Sequence, residues 1–197
     1  MKSDVIIVSN RGKGMDAALA LTDSVAGQLG LAGRDALHMR LLAEEMMNLM
    51  RSIISEHVGQ FWIETAKKGY QLHLKTVTSM SAEQRARLIA ASSSGENEAH
   101  RGIMGKIRAF FEPVPEEETP AFLSRAIVSD DKGDLSWSMG EYREQLSRSR
   151  ADAGKAQEEW DELEQSLVSH LADDIRVRIQ GIDVEMTIEK AFTREDG

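Results

Sequence analysis

The sequence predicts an α/β domain in which helices lie on one face of a mixed, mostly antiparallel sheet, and three observations predict it. A β-branched run at residues 5–8 meets the breakers Asn10, Gly12 and Gly14, and residues 15–29 then read as a helix that Gly30 ends. Residues 34–55 read as a second helix, with Gly33 and Asp35 at its start, Leu42, Met46, Leu49 and Ile53 at helical spacing, and Gly59 closing it. Apolar and polar side chains alternate in residues 61–65 and 70–78 around Lys67, Lys68 and Gly69, and again in residues 175–179 and 184–188 around Gly181. Those are two half-buried hairpins, one toward each end of the chain. Strands from both ends then share one sheet, and the two helices cover one of its faces as a two-layer sandwich.

The middle of the chain has another character. Residues 82–91 are helical in propensity, 92–97 form a small polar loop, and 99–111 carry the apolar stripe Ile103, Ile107 and Phe110 or Phe111. Pro113, Pro115 and Pro120 break the chain around Glu116 to Glu118, and a long polar excursion follows. On this reading 1–197 is a single domain and 112–174 is an acidic helical insertion within it. The net charge of −9 is concentrated there, since residues 112–174 hold 17 acidic and 6 basic side chains. The remaining body is close to neutral and can accept an anionic small molecule. No basic stripe with interleaved aromatics is present, so nucleic acid is not an expected partner.

The absence of cysteine excludes disulfides, thiolate metal sites and cysteine nucleophiles, which suits a reducing compartment. Residues 1–10 lack a basic start and a long apolar run, and no stretch of about 18 apolar residues occurs. The expectation is a cytoplasmic protein that neither spans nor anchors to a membrane.

Functional signal begins on the second helix, where Glu44 and Asn48 lie one turn apart among Leu, Met and Ile neighbours. Two readings are open. In one, Glu44 pairs with Arg40 a turn earlier and Asn48 is simply exposed. In the other, the Asn48 amide oxygen helps hold a hard magnesium ion while Glu44 orients or deprotonates a nucleophile beside it.

The run Leu42-Ala43-Glu44-Glu45-Met46-Met47-Asn48, after a strand and a helix and before a hairpin, resembles the Glu-x-x-x-Asn box of the histidine-kinase-like ATPases, above all the anti-sigma-factor serine kinases. The resemblance covers roughly residues 5–111 and the last hairpin, and it implies a Bergerat-type sandwich. It also implies Asn48 as magnesium ligand and Glu44 as base. Ser92-Ser93-Ser94-Gly95 and Arg101-Gly102-Ile103-Met104-Gly105-Lys106 are similar to the glycine-containing lid and following helix start of that family. Read from the residues alone, the same stretch is a turn followed by glycines that permit close helix packing.

The match is partial. Members carry an Asp-x-Gly-x-Gly box after the hairpin, where this chain has Thr76-Val77-Thr78-Ser79-Met80-Ser81, so no carboxylate is available to read adenine. Ser52 stands where the serine-kinase branch commonly has His. The resemblance therefore implies ATP and Mg2+ as cofactors, Glu44 as catalytic residue, and Asn48, Ser52, Thr78, Ser94, Gly95, Arg101, Gly102, Gly105 and Lys106 as nucleotide contacts.

Other chemistry is sparse. Gly105-Lys106 is not a P-loop, because the spacing is wrong and Ile107 replaces the required hydroxyl. His38, His57, His73, His100 and His170 show no metal-ligand spacing, although His100 beside Arg101 could meet a terminal phosphate. Met139, Tyr142, Leu146, Ser149, Ala153, Ala156, Trp160, Leu163, Leu167 and His170 step by three and four, a helical seam. Two outcomes follow from that seam: shorter helices folded back on the domain, or an acidic arm that forms a homodimer or binds a protein partner. The second makes the chain a non-catalytic regulatory module, from which residues 115–171 could be removed without changing nucleotide affinity.

Overall fold

The computed structural model describes residues 1–9, 11–53, 58–77, 127–129, 135–149, 167–180 and 182–192. Strand β1 (Ile6–Ser9) leads into helix α1 (Met15–Gln28), which is followed by α2 (Gly33–Ile53). Strands β2 (Val58–Ala66) and β3 (Gly69–Val77) form the first hairpin, and β6 (Asp174–Gln180) and β7 (Asp183–Ala191) form the last. Between them lie β4 (Ile127–Ser129), β5 (Leu135–Ser138), α3 (Met139–Ser149) and the short α4 (Leu167–Leu171). One seven-stranded sheet has the order β1-β2-β3-β7-β6-β5-β4.

Sequence alone predicts a mixed sheet, but all the described pairings are antiparallel. The reason lies in α1 and α2. One crossover helix returns a chain parallel to its starting strand, whereas two consecutive helices reverse it once more, so β2 arrives antiparallel beside β1. Gly14 makes that first turn. Its φ of 80° is left-handed, and a β-carbon there would lie 2.0 Å from the Ile7 carbonyl oxygen. At the far end of α1, Gly30 takes φ 70°, the Leu31 N–H donates to the Ala26 carbonyl at 2.9 Å, and the Gly30 N–H donates to Gly27 at 3.1 Å. This Schellman closure turns the chain sharply into α2.

Register shows how the two-residue period becomes a core. Phe61 pairs with Leu74, Ile63 with Leu72, Leu72 with Ile188, Leu74 with Met186, and Val177 with Met186, all on one face. These side chains are buried in one cluster with Val25 and Ala26 of α1 and Met39, Leu42, Ala43, Met46 and Met47 of α2. The opposite face is polar. There Trp62 stacks on His73 at 4.8 Å, and Lys2 sits 4.4 Å above the Trp62 ring. The Trp62 indole N–H donates to Glu64 at 3.0 Å, and with His73 and Lys2 it holds that carboxyl below its ordinary range against the smaller push of burial.

The described residues within 112–174 include two strands beside the expected helices. β5 joins β6 in register, pairing Leu135 with Ile179 and Trp137 with Val177, and β4 pairs in turn with β5. Met139, Tyr142 and Leu146 of α3 are fully or nearly fully buried, as is Val168 of α4. The start of the helical seam thus packs against the sheet. Ser138 caps α3, its Oγ accepting the Glu141 N–H at 3.2 Å, while Asp174 Oδ1 accepts the Gly140 N–H at 3.0 Å and ties the helix start to β6. Removal of residues 115–171 would strip Leu135, Trp137, Met139, Tyr142, Leu146 and Val168 from the core. At about 2–5 kcal/mol for each large side chain, against a total stability of about 5–15 kcal/mol, that loss is not survivable. The deletion protein is expected to show no cooperative thermal unfolding by circular dichroism; a sharp transition near that of the intact chain would disprove this account of the core.

Asp173 closes the other side of the hairpin. Its carboxylate accepts the Ala191 N–H at 2.6 Å and the Lys190 ammonium at 2.9 Å. Burial pushes this carboxyl up, but those two donors and the nearby Arg143 outweigh it and hold it below 3.8. A carboxylate lowered in the folded state stabilises above its unfolded value and loses that contribution as pH falls through the folded one. Because the side chain is 46% exposed, the effect is small, about 1 kcal/mol or less. Asp173→Asn should therefore lower the melting temperature slightly at pH 7, and the gap from wild type should narrow as pH falls below the ordinary aspartate range. A gap that is constant from pH 7 to pH 2 would show that ionisation of Asp173 plays no part.

Candidate functional site

Helix α2 is divided lengthwise by its sequence. Met39, Leu42, Ala43, Met46 and Met47 form the buried stripe, while Arg40, Glu44 and Asn48 follow one another every four residues along a more exposed edge. Arg40 Nε lies 3.1 Å from Glu44 Oε1, and Arg40 Nη1 also pairs with Asp23 of α1. One guanidinium is bracketed by two carboxylates and joins the two helices. Asn48 is exposed, and its amide has no hydrogen-bond partner among the described residues. The ion pair and exposure expected from the simpler reading of Glu44 and Asn48 are therefore both present, and they leave the Asn48 amide accessible.

Chain direction places Asn48 toward a particular end of the sheet. α2 ends at Ile53, shortly before β2 begins at Val58, and the Thr76 hydroxyl donates to the Val58 carbonyl at 3.5 Å. The C-terminal half of α2 and the C-terminal end of β3 thus share one end of the molecule. Thr76 is buried and Val77 is partly exposed where β3 leaves the core. Ser52 belongs to α2, with only its backbone described. Thr78, Ser94, Gly95, Arg101, Gly102, Gly105 and Lys106 lie outside the described residues, as do His57 and His100.

The accessible donors suit a hard cation in kind, since both the Asn48 amide and the Glu44 carboxylate offer oxygen. Glu44 Oε1 is already engaged by Arg40, so Asn48 is the freer of the two. Among the described residues no group of three His, Cys, Asp or Glu side chains is arranged to hold a metal. Nor does any described helix have the length and apolarity needed to cross a membrane. Of the other histidines, His73 is buried against Trp62 and bonds Glu185 at 3.2 Å through Nδ1, while His170 is exposed.

Sequence reasoning missed Asp23, because its meeting with Arg40 depends on how α1 packs on α2. It also missed a pocket at the other end of α2, where Asp35 and His38 face Tyr70 of β3 and Phe192 beyond β7. No family model matches the chain, and comparison with curated proteins and with solved structures finds no match.

Proposed function

We propose that the chain is a magnesium-nucleotide-binding domain of the histidine-kinase-like sandwich type, with Asn48 as the ion's protein ligand and Glu44 beside it. The observation that supports this reading is the edge of α2. An accessible amide and a carboxylate stand one turn apart on a helix that buries Met39, Leu42, Ala43, Met46 and Met47, in an element order of strand, two helices and hairpin. The remaining contacts on this proposal come from Ser52, Thr78, Ser94, Gly95, Arg101, Gly102, Gly105 and Lys106. Bound magnesium would neutralise phosphate charge.

Arg40 favours binding over catalysis. A carboxylate oxygen that already accepts a guanidinium N–H at 3.1 Å is not open to take a proton from a nucleophile. Thr76 donates to Val58 and offers no carboxylate with which to orient a base. Both features support a regulatory module that binds nucleotide and passes its state to a protein partner or a second copy, rather than an efficient serine or threonine kinase.

Calorimetric titration with ATP, with and without magnesium, tests the reading. Binding should require magnesium, and Asn48→Ala should weaken it by about 1–3 kcal/mol with the fold intact. Phosphoryl transfer should be slow and ATP should be preferred to GTP only weakly. Equal affinity in wild type and variant, or no binding by either, would exclude the site, and rapid turnover with strong ATP preference would exclude the regulatory reading.

A further inference from the structure

A small, partly open pocket lies where the end of α1, the first turns of α2, the start of β3 and the end of β7 converge. It lies away from Asn48, since His38 on its wall is ten positions earlier in α2, about 15 Å along the helix axis. The Schellman turn after α1 puts Leu29 and Leu31 on the pocket wall. Phe192 lines it as well, tilted against Tyr70 with ring centroids 6.3 Å apart. This apolar lining is of the kind that receives a small organic body.

Two polar groups in it lack partners. Tyr70 is only 4% exposed, yet its hydroxyl makes no hydrogen bond among the described residues although the residue lines the pocket. Burial, together with the charges of Asp35 and Asp173, pushes the phenol well above its ordinary value, so the group remains an O–H donor. The hydroxyl is open to solvent through the pocket, where a ligand acceptor can meet it directly. The second group is Asp35, an exposed carboxylate with no ion pair among the described residues. Lys190, the cation of the same wall, is already matched by Asp173 at 2.9 Å. Among the described residues, the unpaired charge on the pocket wall is negative.

We infer that this pocket binds a small organic cation with an aromatic body, its ammonium group on Asp35 and a hydrogen-bond acceptor on the Tyr70 hydroxyl. The ring would lie against Leu29, Leu31 and Phe192, in apolar contact that neither polar group supplies. Charge selects the class. An anion of the same shape meets Asp35 unfavourably and finds Lys190 occupied.

Three probes of nearly equal size separate these contributions when the backbone amides of the intact protein are followed by NMR. Tyramine carries both the ammonium and the acceptor, phenethylamine lacks the acceptor, and 4-hydroxyphenylacetate carries the opposite charge. Tyramine should give saturable shifts at Leu31, His38, Lys190 and Phe192, with 4-hydroxyphenylacetate at least about tenfold weaker and phenethylamine several-fold weaker. Asp35→Asn should erase the preference for cation over anion. Tyr70→Phe should erase the difference between tyramine and phenethylamine while leaving the charge preference. Equal binding of cation and anion by the wild-type protein, saturable shifts confined to other residues, or no saturation by about 10 mM would each overturn the inference. None of these readings depends on nucleotide.

Discussion

β3 and β7 pair over nine positions, from Gly69 opposite Ala191 to Val77 opposite Asp183, and this seam joins the two ends of the chain at the centre of the sheet. Each side of it does a different job. Leu72 and Leu74 meet Ile188 and Met186 beneath the helices, while His73 bonds Glu185 and Thr187 on the polar face. β2 and β1 extend the sheet from one flank, and β6, β5 and β4 extend it from the other. Because side chains alternate strictly, a slip of one residue along the seam would turn Leu72 and Leu74 into water and bring His73 under the helices. The core therefore depends on this register, and so does the placement of α2 above it.

The elements written in long, clean periods were legible in the sequence. α1, α2 and both hairpins fall close to where apolar spacing puts them, because each buries one face over several turns or pleats, although Gly59, expected to close α2, lies within β2 opposite Val8. β4 and β5 were not. They span three and four residues, too short for alternation to stand out, and they sit within the most acidic stretch of the chain, which reads as solvated. Leu135 and Trp137 carried the signal, but the helical spacing that starts at Met139 dominated it. The same limit applies to the sites. Glu44, Asn48 and Arg40 are visible as neighbours on one helix, whereas Asp23 and the Tyr70 pocket arise from segments that meet only in three dimensions.

The two ends of α2 consequently offer different chemistry on one rigid rod. Its N-terminal turns contribute Asp35 and His38 to an apolar-walled pocket, and its later turns present Glu44 and Asn48 at an exposed edge. Arg40 lies between them and anchors the helix to α1 through Asp23. A shift of α2 along its own axis would disturb both ends, since Met39, Leu42, Met46 and Met47 are fully or almost fully buried and cannot slide without opening voids. α2 is thus the element by which occupancy of one end could be felt at the other, provided the helix has two packed positions.

The central seam also has a consequence in time. His73 and Thr187 touch across 114 positions of chain, so at about 5–20 residues per second a ribosome completes β3 roughly 6–23 s before β7. Throughout that interval the β2–β3 hairpin lacks its inner neighbour, with Leu72 and Leu74 presented beside an unpaired strand edge. Local helix and hairpin formation takes microseconds and is finished long before. The nascent chain must wait as half a core, and the hairpin edge is where a ribosome-associated chaperone would find it.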